Sequence, residues 1–225
     1  WSAIKTGVLF AIALLLWIQG LFHSTHLGEA AFISSLAVIF IPLMGRVVYG
    51  HRISKQLLLP MLLAVLGLAA LTLQGEIHLE VSQLYLLLGA IFFALQFVVT
   101  TVHAAKMPAL TLAAIQMATV GIVALMAAFY TEPITFNWSL DIWGWVLASA
   151  LIASLLRFSL QTYALSISTA NNAGMVMILE PVWVTILGAY FMSETLAANQ
   201  WLGCGLILLA MIVYQLTRMR LWRYR

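Results

Sequence analysis

A chain of 225 residues that is 64% hydrophobic and only 8% charged is not a soluble domain, in which about a quarter of the residues carry charge. The mean hydropathy of +1.06 and pI of 9.2 come with basic residues scattered over short loops and a tail, which points to a membrane and not to nucleic acid. The one cysteine, Cys204, excludes an intrachain disulfide and a metal cluster built on cysteines.

Eight apolar stretches follow, at about 4–22, 30–49, 56–74, 83–104, 108–130, 142–165, 173–192 and 198–217. Each is about 20 residues long, enough for a helix to cross a hydrocarbon core of roughly 30 Å. They lack the short alternation of an outer-membrane barrel strand. On the first span, Ala3, Gly7 and Ala11 form a seam of small residues suited to close helix packing. Trp17 is a candidate aromatic wall for a substrate, against the plainer reading of ordinary packing. His23, His26 and Glu29 have a spacing that would suit a metal if helical, but no further ligand lies nearby, so no metal site is expected. The second span holds Pro42, which removes a helical donor and is expected to break or kink it, and Arg46, which can snorkel to the interface.

Polar stripes mark the middle spans. Gln96, Thr100 and His103 share a face of the fourth, and Gln116 and Thr119 lie one turn apart on the fifth. Ser154, Arg157 and Gln161 share a face of the sixth, and Tyr163 offers a second aromatic wall. Gln96 and Gln116 are candidates to line a wet path; interhelical hydrogen bonding is the alternative. Asn171 and Asn172 open the seventh span and are expected as N-caps. That span carries Glu180 followed at once by Pro181, a second expected break.

Arg157 and Glu180 are the acid and base nearest mid-depth. Each lies about 12 Å from the inner end of its span, so adjacent antiparallel helices would hold them level. An isolated charge in hydrocarbon costs about 2.5–3.5 kcal/mol on insertion scales, which demands a partner, a proton or water. A structural ion pair and a cavity pair that binds a zwitterion or a proton both satisfy that demand.

Charge sets the orientation. Glu29, then Glu76 and Glu80, then Glu132 and Asp141, then Glu194 occupy alternate connections that hold no Lys or Arg. Lys5, Arg46, Arg52, Lys55, Lys106, Arg218, Arg220, Arg223 and Arg225 occupy the other side, which is expected to be cytoplasmic together with the C-terminus. A shift of 143 residues lays 25–73 on 168–216, with Gly45 on Gly188, Ala30 on Ala173 and Leu59, Leu63 and Leu66 on Leu202, Leu206 and Leu209. The repeat advances five spans, an odd number, so the second copy is inverted. In this register residues 1–80 form the last three helices of one repeat, 81–225 a complete second repeat, and two spans are expected before Trp1.

The residues also carry a resemblance. Leu160-Gln161-Thr162-Tyr163-Ala164, Leu179-Glu180-Pro181-Val182, Ser193-Glu194-Thr195-Leu196 and Gly203-Cys204-Gly205-Leu206-Ile207-Leu208 resemble the second EamA domain of the drug/metabolite transporter superfamily. Ala31-Phe32-Ile33-Ser34-Ser35-Leu36 with Ile41-Pro42-Leu43 resembles the end of the first. The resemblance implies an all-α fold of ten helices in two inverted five-helix repeats, of which this chain holds eight. It implies a secondary transporter in the inner (plasma) membrane, exporting amino acids or similar small metabolites. No cofactor is implied; proton coupling is an option. Ser193 stands where the family has glycine, His51 replaces the matching glutamate, and Pro181 meets Val38 in repeat register while the first repeat's proline is Pro42. A non-transporting helical bundle is the alternative. A membrane-embedded enzyme is disfavoured, because H-E-x-x-H, G-x-S-x-G and a close in-membrane carboxylate pair are all missing.

Overall fold

A computed structural model describes residues 1–24, 27–50, 57–72, 81–131, 139–192 and 197–223. Among the described residues the chain is all-helical. The helices are α1 (Ser2–Phe22), α2 (Leu27–Ser35), α3 (Ala37–Tyr49), α4 (Leu58–Thr72), α5 (Val81–Ala104) and α6 (Ala109–Thr131). They continue with α7 (Leu140–Ala148), a π-helical segment (Ser149–Leu156), α8 (Arg157–Ser166), α9 (Ala170–Met177), α10 (Leu179–Met192) and α11 (Ala198–Arg223). Seven helical stretches among the described residues are long and apolar enough to cross a membrane. The eighth expected span, the third in order, contributes the shorter apolar helix α4. The protein is an all-α membrane protein.

Two tight seams organise the bundle. In the first, α1 lies along α5 and against α6. Its small-residue face is buried there: Ala3, Gly7 and Ala11 all point inward. A Cβ placed on Gly7 would come within 2.6 Å of Thr119 Cβ, so the seam expected from sequence packs within the chain, against α6. In the second, α4 lies along α11. A Cβ on Gly203 would sit 2.7 Å from both Gly67 O and Leu71 N, and such backbone contact leaves no room for a side chain. Ala64, Leu68 and Leu71 of α4 join Cys204, Ile207 and Ala210 of α11 in one core, completed by Met175, Ile178 and Val182. A separate core joins Ile41, Ala94, Phe97, Val98 and Leu165, which ties α3, α5 and α8 together.

Among the described residues three spans are interrupted. The second breaks at Leu36, between α2 and α3. Pro42, where a break was expected, lies inside α3, and the helix runs past it to Tyr49. Buried among its neighbours, Pro42 is held by the helix around it, and the discontinuity falls one to two turns earlier. The seventh span breaks at Ile178, and Pro181 is the third residue of α10. Its ring cannot donate to the Met177 carbonyl, which accounts for a break at this point. The sixth span changes to π pairing over Ser149–Leu156. The α-helical spacing that put Ser154 on one face with Arg157 and Gln161 therefore does not hold for Ser154.

The seventh span also starts earlier than expected. Thr169 is the N-cap of α9, and its side chain accepts from Asn172 N at 3.3 Å. Asn171 and Asn172 are inside the first turn, so they are not caps. Asn172 instead accepts a hydrogen bond from the Tyr214 hydroxyl on α11.

A candidate transport site at two helix breaks

Arg157 is the first residue of α8, directly after the π-helical segment. Glu180 is the second residue of α10, directly after the break at Ile178. Each member of the pair thus stands where its span changes its winding. Arg157 Nη2 donates to Glu180 Oε1 at 2.5 Å. Counted from the end of the bundle that holds Lys5 and Lys106, both residues lie about 14 Å deep, since Arg157 precedes Ser166 by nine residues and Glu180 follows Ala170 by ten. Glu180 also gains from the first turn of α10, where the helix dipole favours a negative charge.

The pair is open: the Arg157 and Glu180 side chains are 48% and 49% exposed. In water such a pair contributes only about 0.2–1 kcal/mol. In a bilayer each charge alone is far more costly, so the partners hold each other or meet another polar group. Among the described residues of Leu140–Leu156, none is buried, so the span leading into Arg157 has a bare face.

Around the pair the expected residues divide. Gln161, one turn after Arg157, shares its face and is half-buried. Tyr163 is 59% exposed and, six residues on, lies away from that face. Trp17 lies beside Gly89 of α5, and Phe10, about 10 Å along α1, reaches α8. The Phe10 and Phe158 rings meet edge to face at 4.7 Å, and the Arg157 guanidinium carbon lies 5.3 Å from the Phe158 ring centre. Sequence reasoning missed both phenylalanines, because an aromatic among many aromatics carries no mark of its partner. Gln96 and Gln116 are 4% and 2% exposed, both within 3.0 Å of Thr100 Oγ1, and line no open path here. His23 stacks on Tyr85, while the side chains of His26 and Glu29 lie outside the described residues. No cluster of three metal-ligating side chains occurs among the described residues.

Comparison with known proteins gives this geometry a family. The model of the EamA-like transporter family matches residues 81–215, more than half of the chain. An uncharacterized transporter of Archaeoglobus fulgidus is 25% identical over 213 residues, which cover 94% of this chain and 68% of that protein. The uncharacterized transporter YwfM of Bacillus subtilis is 30% identical over 105 residues, 43% of this chain and 34% of its own length. A protein of known crystal structure superposes with a TM-score of 0.74 over 98% of this chain and 88% of that one; at 17% identity the likeness concerns the fold alone. The chain belongs to the EamA-like transporter family, and its relatives are named as transporters.

Proposed function

We propose that the chain is the greater part of a secondary transporter of the plasma membrane that exports amino acids or similar small metabolites by alternating access. The observation that carries this is the half-exposed Arg157–Glu180 pair, level within the membrane and placed at two helix discontinuities. A zwitterion can replace each partner: its carboxylate takes Arg157 and its ammonium takes Glu180, with no net charge left unpaired. A proton on Glu180 would release Arg157 to an anionic group of the substrate and would couple transport to a pH gradient. Gln161, on the same face, adds a hydrogen-bonding group to the pair.

In this proposal the fold has ten helices in two inverted repeats, with residues 1–80 closing the first and 81–225 forming the second. The family match over 81–215 supports that division. So does the spacing of the breaks. Leu36 and Ile178 are 142 residues apart, one short of the repeat shift, although the two prolines do not correspond. The α4–α11 seam adds further support. The shift carries Pro60 onto Gly203 and Gly67 onto Ala210, and all four positions are buried. A two-fold axis between α4 and α11 would relate one side of the seam to the other. The same shift lays α1 on 145–165, and α1 is covered by α5 where Leu140–Leu156 is bare. Two further helices of the first repeat would pack on that face. The basic side, with the C-terminus, faces the cytoplasm.

Flux of a panel of amino acids into proteoliposomes, with and without a pH gradient, tests the proposal. Glu180→Gln should abolish flux while the protein still elutes as a folded monodisperse species. Full flux in that variant removes Glu180 from the mechanism.

A further inference from the structure

Four polar side chains near the pair have no task in the transport scheme. Gln96 and Thr100 on α5, Gln116 on α6 and Thr162 on α8 are each at most 4% exposed. Gln96 Nε2 donates to Thr100 Oγ1 at 3.0 Å, and the side-chain amide of Gln116 lies 2.9 Å from the same oxygen. Thr162 Oγ1 lies 3.5 Å from Gln116 Oε1 and 2.8 Å from the carbonyl oxygen of Phe158. A hydroxyl has one proton, and the shorter contact places that of Thr162 on Phe158 O. Gln116 Oε1 would then face an oxygen with no proton to give. Turning the Gln116 amide over, which leaves its shape unchanged, removes that conflict. The Thr100 hydroxyl then donates to Gln116 C=O, and Gln116 N–H donates to Thr162.

The result is a directed chain from Gln96 through Thr100, Gln116 and Thr162 to the Phe158 carbonyl. In it each hydroxyl accepts one bond and donates one. It crosses from α5 to α6 to α8 and ends one residue after Arg157. The Phe158 side chain adds a second anchor, seated on Phe10, which is 2% exposed. Before Arg157 no residue of Leu140–Leu156 is buried. Arg157 therefore stands where the part of the span anchored on α1 and α6 begins.

We infer that Gln116 and Thr162 are positioning residues for Arg157: their hydrogen-bonded chain fixes the first turn of α8 and so sets where the guanidinium meets Glu180. This rests on the reading of that pair as the transport site, but its test reads geometry directly. Spin labels on cysteines at Leu160 and Val184, both exposed, report the approach of α8 and α10 by electron paramagnetic resonance, in a background with Cys204 replaced by alanine. Thr162→Val keeps the side-chain shape and loses the hydroxyl; Thr162→Ser keeps the hydroxyl. The valine variant should broaden the distance distribution and raise KM about threefold to tenfold with Vmax held, and serine should restore both. Gln116→Leu should act in the same direction. An unchanged distribution in Thr162→Val and Gln116→Leu, or an equal broadening in Thr162→Ser, overturns the inference. A narrow, hydroxyl-dependent distribution combined with full flux in Glu180→Gln would instead uphold the positioning and sink the transport role of the pair.

Discussion

The α4–α11 seam and the α8–α10 junction do opposite things with the same kind of helix. In the seam, glycine and alanine bring two backbones into contact, and the core around them holds only apolar side chains and Cys204. At the junction the helices are interrupted, the side chains are charged and half-open, and the preceding half-span is bare. Close packing tolerates no adjustment, whereas an exposed ion pair can exchange partners. Under the alternating access proposed above, the first would belong where parts stay fixed and the second where they move.

Charge tests that contrast most severely. The double variant Arg157→Glu with Glu180→Arg keeps a pair but reverses it. If the junction is a transport site, flux should fall by about tenfold or more, since losing even one charged contact to substrate amounts to roughly 1.4 kcal/mol, while the melting temperature stays near that of the parent. Full flux in the reversed pair would make it a structural tie and erase the contrast. Next comes the seam. Gly203→Val should destabilise by about 1–3 kcal/mol, read as a lower midpoint of thermal unfolding in detergent, because the new side chain meets backbone it cannot displace. A midpoint equal to the parent's would mean the seam has slack.

Smaller effects refine the picture. Pro181→Ala restores the donor to the Met177 carbonyl and should let α9 and α10 merge. Transport should slow about fivefold, as a shift of roughly 1 kcal/mol implies, whereas Pro42→Ala, inside a continuous α3, should leave the rate near that of the parent. Equal slowing in both variants would show that the two prolines act alike despite their different settings. Tyr214→Phe removes the hydrogen bond to Asn172 and should cost about 0.5–1.5 kcal/mol in stability, measured by the same thermal assay.

Much of this was legible in the residues. The Arg157–Glu180 meeting followed from depth alone, because two charges in long apolar spans must be satisfied and counting inward placed them level. The seam at Ala3, Gly7 and Ala11 followed from the i, i+4 spacing of small residues. Less visible was anything that depends on how one helix is rotated against the next. Gln96 was read on one face with Thr100, but nothing in the Gln116 stripe on the next span says that it too turns toward Thr100. Trp17 was read as a candidate aromatic wall and Phe10 was not, yet contact with Phe158 is decided by height along α1. The Thr169 cap was hidden by two adjacent asparagines that are equally good caps in isolation. The π segment had no sequence mark at all; it is a choice of hydrogen-bond partner within a run of small and apolar residues.

That segment has a mechanical corollary. A π turn closes its hydrogen bond over five residues where an α turn needs four, so Ser149–Leu156 holds more chain in each turn than the helices on either side. Converting one such turn to α pairing would lengthen the span by about 1.5 Å and swing Trp143 and Trp145 around the axis by about 100°. Phe158 and Thr162 would stay seated throughout. The sixth span therefore carries its own reserve of length and twist, stored in the turns just before Arg157.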